Sequence, residues 1–229
     1  MNSKHSLIRV LLLLLIPLLG KSLLAAGVDE INPDLEQAIA WYIGSTGKVD
    51  DSRAKQHLEK AIATGDTLSI MWLARVHSTG RMEFEKDYGL AQEIAADVID
   101  EVEKLAGQNH AEAMFLMGTA YAEGLGKDKD GAMAANLYQR AALLGNTLAQ
   151  HNMGNIHESG TGVRQDDAQA VYWWLQAAAA GDAIPQWQLG NMYEKGRGVE
   201  KDLNEALRWY RDSASRGNER ARNALARLE

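Results

Sequence analysis

Glycine recurs in this chain at an interval that leaves few folds open. Gly118, Gly154 and Gly190 are 36 residues apart, and the sets Gly124, Gly160, Gly196 and Gly126, Gly162, Gly198 keep the same step. So do Gly145, Gly181 and Gly217, with Asp130, Asp166, Asp202 and Ala134, Ala170, Ala206 in fixed phase between them. Six columns aligned three times define units 111–146, 147–182 and 183–218. Such a period is the signature of stacked units, none of which can bury its apolar face alone. Upstream, Trp41, Gly44, Asp50, Ala54 and Gly65 fall in the same phase and place a diverged unit at 31–66. Between them, 67–110 keeps Gly80, Asp87 and Ala91 but runs to 44 residues. Five units therefore fill 31–218.

Each unit reads as two helices. Residues 111–122 are good helix formers with apolar side chains at helical spacing, and 148–158 and 184–194 occupy the same frame. The Gly-x-Gly pair supplies a tight turn, and the aspartate that follows N-caps the second helix, with Gln169 and Glu205 at the capping-box position. That helix stops at Gly145, Gly181 or Gly217, where a left-handed cap is wanted. Small residues such as Ala113, Gly118 and Ala134 permit close helix contact, and Leu137-Tyr138, Trp173-Trp174 and Trp209-Tyr210 fill the space between layers. The second unit's later helix, from Asp87 to Leu105, is lengthened and acidic, with Glu93, Asp97, Asp100, Glu101 and Glu103 opposite Ile94, Val98, Ile99, Val102 and Leu105. In 219–229, Ala221 and Leu225 continue the first-helix frame and Arg220, Arg222 and Arg227 keep the far side wet, as a capping helix requires.

Residues 1–26 combine Lys4 and Arg9, the apolar run Val10–Leu19 and the small-residue exit Ala25-Ala26-Gly27. A run of about ten apolar residues is shorter than the ~20 a spanning helix needs. A cleaved secretory signal is expected, leaving no stable membrane insertion and a periplasmic mature protein. Removal takes away Lys4, Arg9 and Lys21 and no acid, so 24 basic residues become 21 against 31 acidic, a net of −10. That charge argues against a nucleic-acid partner. The absence of cysteine excludes disulfides, thiolate metal sites and a cysteine nucleophile. The five histidines beyond the signal are spread over three units without His-Glu-x-x-His, so neither a metal nor a cofactor is expected. Ser52-Arg53-Ala54-Lys55 has the Ser-x-x-Lys spacing of penicillin-interactive enzymes, but no Lys-Thr-Gly accompanies it and serine is ordinary in a first helical turn.

The string Ala149-x-x-x-Met153-Gly154-x-x-His157-x-x-Gly160-x-Gly162-Val163-x-x-Asp166-x-x-x-Ala170-x-x-Trp173-Trp174-x-x-Ala177-Ala178-x-x-Gly181 resembles the Sel-one-like repeat, a relative of the tetratricopeptide repeat. The fifth unit resembles it further through Leu189-Gly190, Tyr193, Gly196, Gly198-Val199 and Trp209-Tyr210, whereas His157 and Pro185 depart from the pattern. The resemblance implies an all-α, right-handed solenoid of about five antiparallel helix pairs, with the first helix of each pair lining a concave groove. Positions outside the repeat consensus then face a protein partner: Met71, Phe115, His151 and Trp187 in one column, Arg75, Thr119, Asn155 and Asn191 in a second, Glu158 and Glu194 in a third. Phe115 and Trp187 are the expected anchors, along a groove grading from apolar at its N-terminal end to acidic at its C-terminal end. The implied function is non-enzymatic protein binding by a monomer or one-to-one complex. First comes an immunity protein neutralising a type VI-delivered, phospholipase-like effector. A scaffold of an envelope assembly and a cell-wall or β-lactam hydrolase are the alternatives.

Overall fold

The computed structural model describes residues 30–228, so the expected signal segment 1–26 lies outside the described residues. Eleven helices, and no strand, occur among them. In chain order they are α1 Pro33–Ile43, α2 Asp51–Ala63, α3 Thr67–Thr79, α4 Tyr88–Gly107, α5 Ala111–Glu123 and α6 Gly131–Leu143. Then follow α7 Thr147–Ser159, α8 Asp167–Ala179, α9 Ala183–Lys195, α10 Leu203–Ser215 and α11 Glu219–Leu228. Odd-numbered helices from α1 to α9 each pack on the next even-numbered one, and each pair packs on the pair after it. The result is a helical-repeat solenoid.

Local chemistry explains the register. Asp50, Asp87, Asp130, Asp166 and Asp202 each sit in extended backbone and accept a backbone N–H of the first turn of α2, α4, α6, α8 and α10. The reciprocal half of the expected capping box does not form at Glu205, whose carboxylate instead takes Arg208 at 2.7 Å. Pro185 stands in the first turn of α9, where a missing N–H leaves no helical bond unmade. The odd helices end one residue later than their apolar pattern suggests, each on a left-handed glycine.

Two glycine columns are set by contact between helices. A Cβ built on Gly154 would lie 2.2 Å from the indole nitrogen of Trp174, and one on Gly198 would lie 2.3 Å from the Asp167 carbonyl oxygen of the preceding unit. The first spacing lets a fully buried tryptophan lie against the backbone of the inner helix. The second lets each turn seat on the start of the previous outer helix. The long helix α4 does not simply protrude. Gln92 accepts from Gly126 N–H at 3.1 Å, Ile99 packs beside Gly126, and Glu103 pairs with Lys127 at 2.7 Å, so its acidic extension is tied to the following turn.

The array also meets itself. The turn after α1 touches the last units: Val49 N–H donates to the Arg216 carbonyl at 3.0 Å, and the Arg216 guanidinium donates to the Gly44 carbonyl at 2.7 Å. Gly181 packs against Ser45, where a Cβ would come within 3.0 Å of its Cα. The solenoid is thus closed upon its own ends across 172 positions of sequence.

The terminal helix α11 buries Ala221 and Ala224. Its arginines are exposed, as a wet face requires. Arg220 nonetheless lies over the Trp187 ring and Arg227 bridges to Glu194, both on α9, while Arg222 pairs within α11, with Glu219.

Candidate functional site

Closure of the array leaves a half-open cavity of about 600 Å³ on the inner side, lined by α1, α3, α7 and α9, the turn near Val49 and the start of α11. A second space of about 410 Å³, bounded by α3, α5, α6 and α7, shares Arg75, Arg81, Asn152 and Asn155 with the first. Together they form one channel along the inner helices.

Its wall at the N-terminal end is an aromatic chain. Tyr42 meets Trp72 edge-on at 6.2 Å, Trp72 meets Phe115 at 5.8 Å and Phe115 meets Tyr138 at 5.9 Å, one ring from each of four helices. Polar atoms in this wall are satisfied internally. Trp72 Nε1 donates to Glu112 at 2.6 Å, and Asn146 donates to the other Glu112 oxygen at 2.7 Å. Burial raises the Glu112 carboxyl while these two donors pull it back down. Tyr138 donates to Thr119, which donates to the Phe115 carbonyl, and burial pushes the Tyr138 hydroxyl up to about 12.

On this wall lies Arg75. Its guanidinium carbon is 4.5 Å from the Trp72 ring, 5.3 Å from Phe115 and 5.7 Å from Tyr42. Across the channel, His151 Nδ1 stands 2.9 Å from Asp182, the buried N-cap of α9. Asn155 accepts from Gln188 at 2.9 Å, and Trp187 is half-buried beneath Arg220, 5.2 Å from its ring centre.

Of the ten residues expected to face a partner, four come together here: Arg75, His151, Asn155 and Trp187. Met71 and Phe115 are fully buried in the wall, whereas Thr119, almost fully buried, borders the second space. Glu158, Asn191 and Glu194 lie off the cavity. Glu158 meets Arg197, which also grips Asp167, and Glu194 accepts from Tyr210 at 2.7 Å and from Arg227 at 2.8 Å. Burial works against the Glu194 charge, but these two donors hold its carboxyl below the ordinary value. Sequence reasoning missed Arg81, Asn152 and Arg220. Asn152 adjoins a nominated position, and a first-turn arginine on the capping helix signals Arg220; nothing local marks Arg81. The N-terminal end of the groove is mixed in character, because Leu35 and Met71 turn into the core while Arg75 and Arg81 join Tyr42, Ile43 and Val49 in lining the cavity.

The Ser-x-x-Lys motif holds no pocket chemistry. Lys55 Nζ donates to the Glu83 carbonyl at 3.2 Å and lies over the Phe84 ring. Among the described residues no group of three His, Asp or Glu side chains is placed to hold a metal ion, and no helix is long and apolar enough to cross a membrane.

A repeated helix pair with an inner channel defines a binding scaffold, and family comparison says which kind. The Sel1 repeat model matches residues 18–43, 44–66, 111–146, 147–182 and 186–218. The chain belongs to the Sel1 repeat family, whose repeats mediate protein–protein interaction. The lengthened pair α3–α4 falls between the matched segments yet continues the array. No curated protein matches the chain. Among solved structures it is similar to c5321, a protective antigen of uropathogenic Escherichia coli with an SLR fold, at 29% identity and TM-score 0.58, covering 85% of this chain and 40% of that one. A Sel1 repeat protein from Oxalobacter formigenes shares 32% identity at TM-score 0.57, covering 79% of this chain and 50% of that one. The chain thus spans half or less of these two structures. The immunity protein Pa5087 from Pseudomonas aeruginosa is more distant, at 22% identity and TM-score 0.49, covering 87% of this chain and 74% of that one, a distance at which no role is transferred.

Proposed function

We propose that this chain is a non-enzymatic protein-binding repeat protein that captures one partner in its inner channel, and that it works in the bacterial envelope as an immunity or inhibitor protein against a delivered effector. The observation that carries the binding reading is the half-open inner channel. A row of inner helices converges Arg75, His151, Asn155 and Trp187 on one space large enough for an extended segment of another protein. Most polar side chains elsewhere in the inner wall spend their hydrogen bonds on one another, which makes the channel a preformed surface, the condition for tight binding without ordering cost. The envelope placement rests on the charged and apolar pattern of residues 1–26. The immunity role is one member of the class of dedicated one-to-one binders that this architecture suits, with a type VI-delivered phospholipase as the favoured target.

Affinity capture from an envelope fraction tests the reading. A dedicated inhibitor yields one stoichiometric partner, protects cells that express that partner and suppresses its activity. A scaffold of an envelope assembly instead co-purifies with several resident proteins and protects against nothing, and that result refutes the immunity role while leaving protein binding intact.

A further inference from the structure

We infer that the channel is built to receive a carboxylate, carried on an extended segment of the protein partner and bound at Arg75. The inference rests on the channel being the binding face and adds the chemistry of what enters it. Arg75 Nε and Nη1 are sealed from solvent and have no hydrogen-bond partner. A guanidinium has five N–H donors. Here its carbon lies 4.5, 5.3 and 5.7 Å from the ring centres of Trp72, Phe115 and Tyr42, which stabilise the cation but whose π faces supply no acceptor oxygen. What remains is a positive charge on a part-exposed residue that lines both parts of the channel.

The surrounding carboxylates do not answer it. Glu112 acts on Arg75 through space but already accepts from Trp72 and Asn146. Asp182 is spent on His151 and on capping α9, and Glu123 on Ser78. Asp51 stands near Arg81, whose guanidinium lies 5.9 Å from the same Tyr42 ring that Arg75 covers. Two arginines thus flank one ring, and only one of them faces an uncommitted acid. An incoming single negative charge completes the pairing, with Asn152 and Asn155 on the shared stretch of channel as neutral amide donors. A doubly charged phosphate fits less well, because its excess charge stands against Asp51 and Asp182, which both line the cavity.

The test is isothermal titration of the purified protein with the blocked peptide acetyl-Ala-Ala-Glu-Ala-Ala-amide, its Gln counterpart and inorganic phosphate. The Glu peptide is expected to bind at least tenfold tighter than the Gln peptide and tighter than phosphate. Arg75→Gln should abolish that preference. Because Arg75 also props the aromatic wall, Asn152→Asp serves as a second variant: it leaves Arg75 in place, sets a like charge beside the ligand and should abolish the preference as well. Equal binding of both peptides, no binding of either, tighter binding of phosphate, or a preference that survives both substitutions overturns the proposal. A partner that Arg75→Gln protein still captures through channel positions overturns the carboxylate assignment alone; a partner captured from the outer helices overturns the channel reading itself.

Discussion

Replacing Gly154 by alanine separates two opposing effects whose sign the structure decides. In an open helical position the change gains roughly 1 kcal/mol from helix propensity. At Gly154 the new Cβ would lie 2.2 Å from Trp174 Nε1 and 2.3 Å from Cδ1, where carbon contacts are comfortable only near ~3.5 Å. The indole must withdraw by more than about 1 Å, yet Trp174 is fully buried and has no space behind it. Overpacking of this kind costs roughly 1–3 kcal/mol, and displacement of a rigid ring belongs at the upper end. The net expectation is a loss of about 2 kcal/mol, or a midpoint some 4–8 °C lower for a chain of this length. Gly107→Ala is the control: it is also helical, meets no heavy atom within 4 Å and should be neutral or stabilising. Thermal unfolding followed by far-ultraviolet circular dichroism reads both. If Gly154→Ala proteins unfold at or above the wild-type midpoint, the close approach of α7 and α8 does not exist as described.

Other expectations follow from single contacts. Arg216→Ala removes the charged donor to the Gly44 carbonyl; it should cost about 1.5–3 kcal/mol and widen the molecule in small-angle scattering, and an unchanged radius of gyration would show that the ends are not joined. Trp72→Phe keeps the aromatic chain but leaves the buried Glu112 short of a donor, so a loss of about 1–3 kcal/mol is expected in chemical denaturation. Glu194 has its folded-state pKa below the ordinary 4.5, so its contribution is complete above that value and is lost as pH falls through the folded pKa. Acid titration of stability should therefore be shallower in Glu194→Gln, and identical curves would refute the pairing with Tyr210 and Arg227.

The repeat, the helix pairs and their caps were legible in the sequence because each depends on local chemistry. Asp166 caps α8 through a bond three residues away, and Gly181 ends it through its own dihedral angles. The channel was less legible because its membership depends on rotation of each inner helix and on contacts between distant units. Phe115 and Trp187 occupy equivalent positions, yet neighbouring rings bury the first while the array's end leaves the second facing the cavity. Closure through Val49 and Arg216 joins turns with no shared motif, so no periodicity announces it. Arg81 lines the second space through the inner helices and joins the first because that closure brings its turn beside α9 and α11.

Site-specific photo-crosslinking in living cells tests most directly whether the inner channel is the binding face. A photoreactive residue is placed in turn at Trp187 and Asn155 in the channel, and at Tyr172 and Leu143 on exposed outer-helix surface. One protein should crosslink from both channel positions and from neither outer position. Crosslinks confined to Tyr172 or Leu143, with the channel positions silent, would contradict binding in the channel.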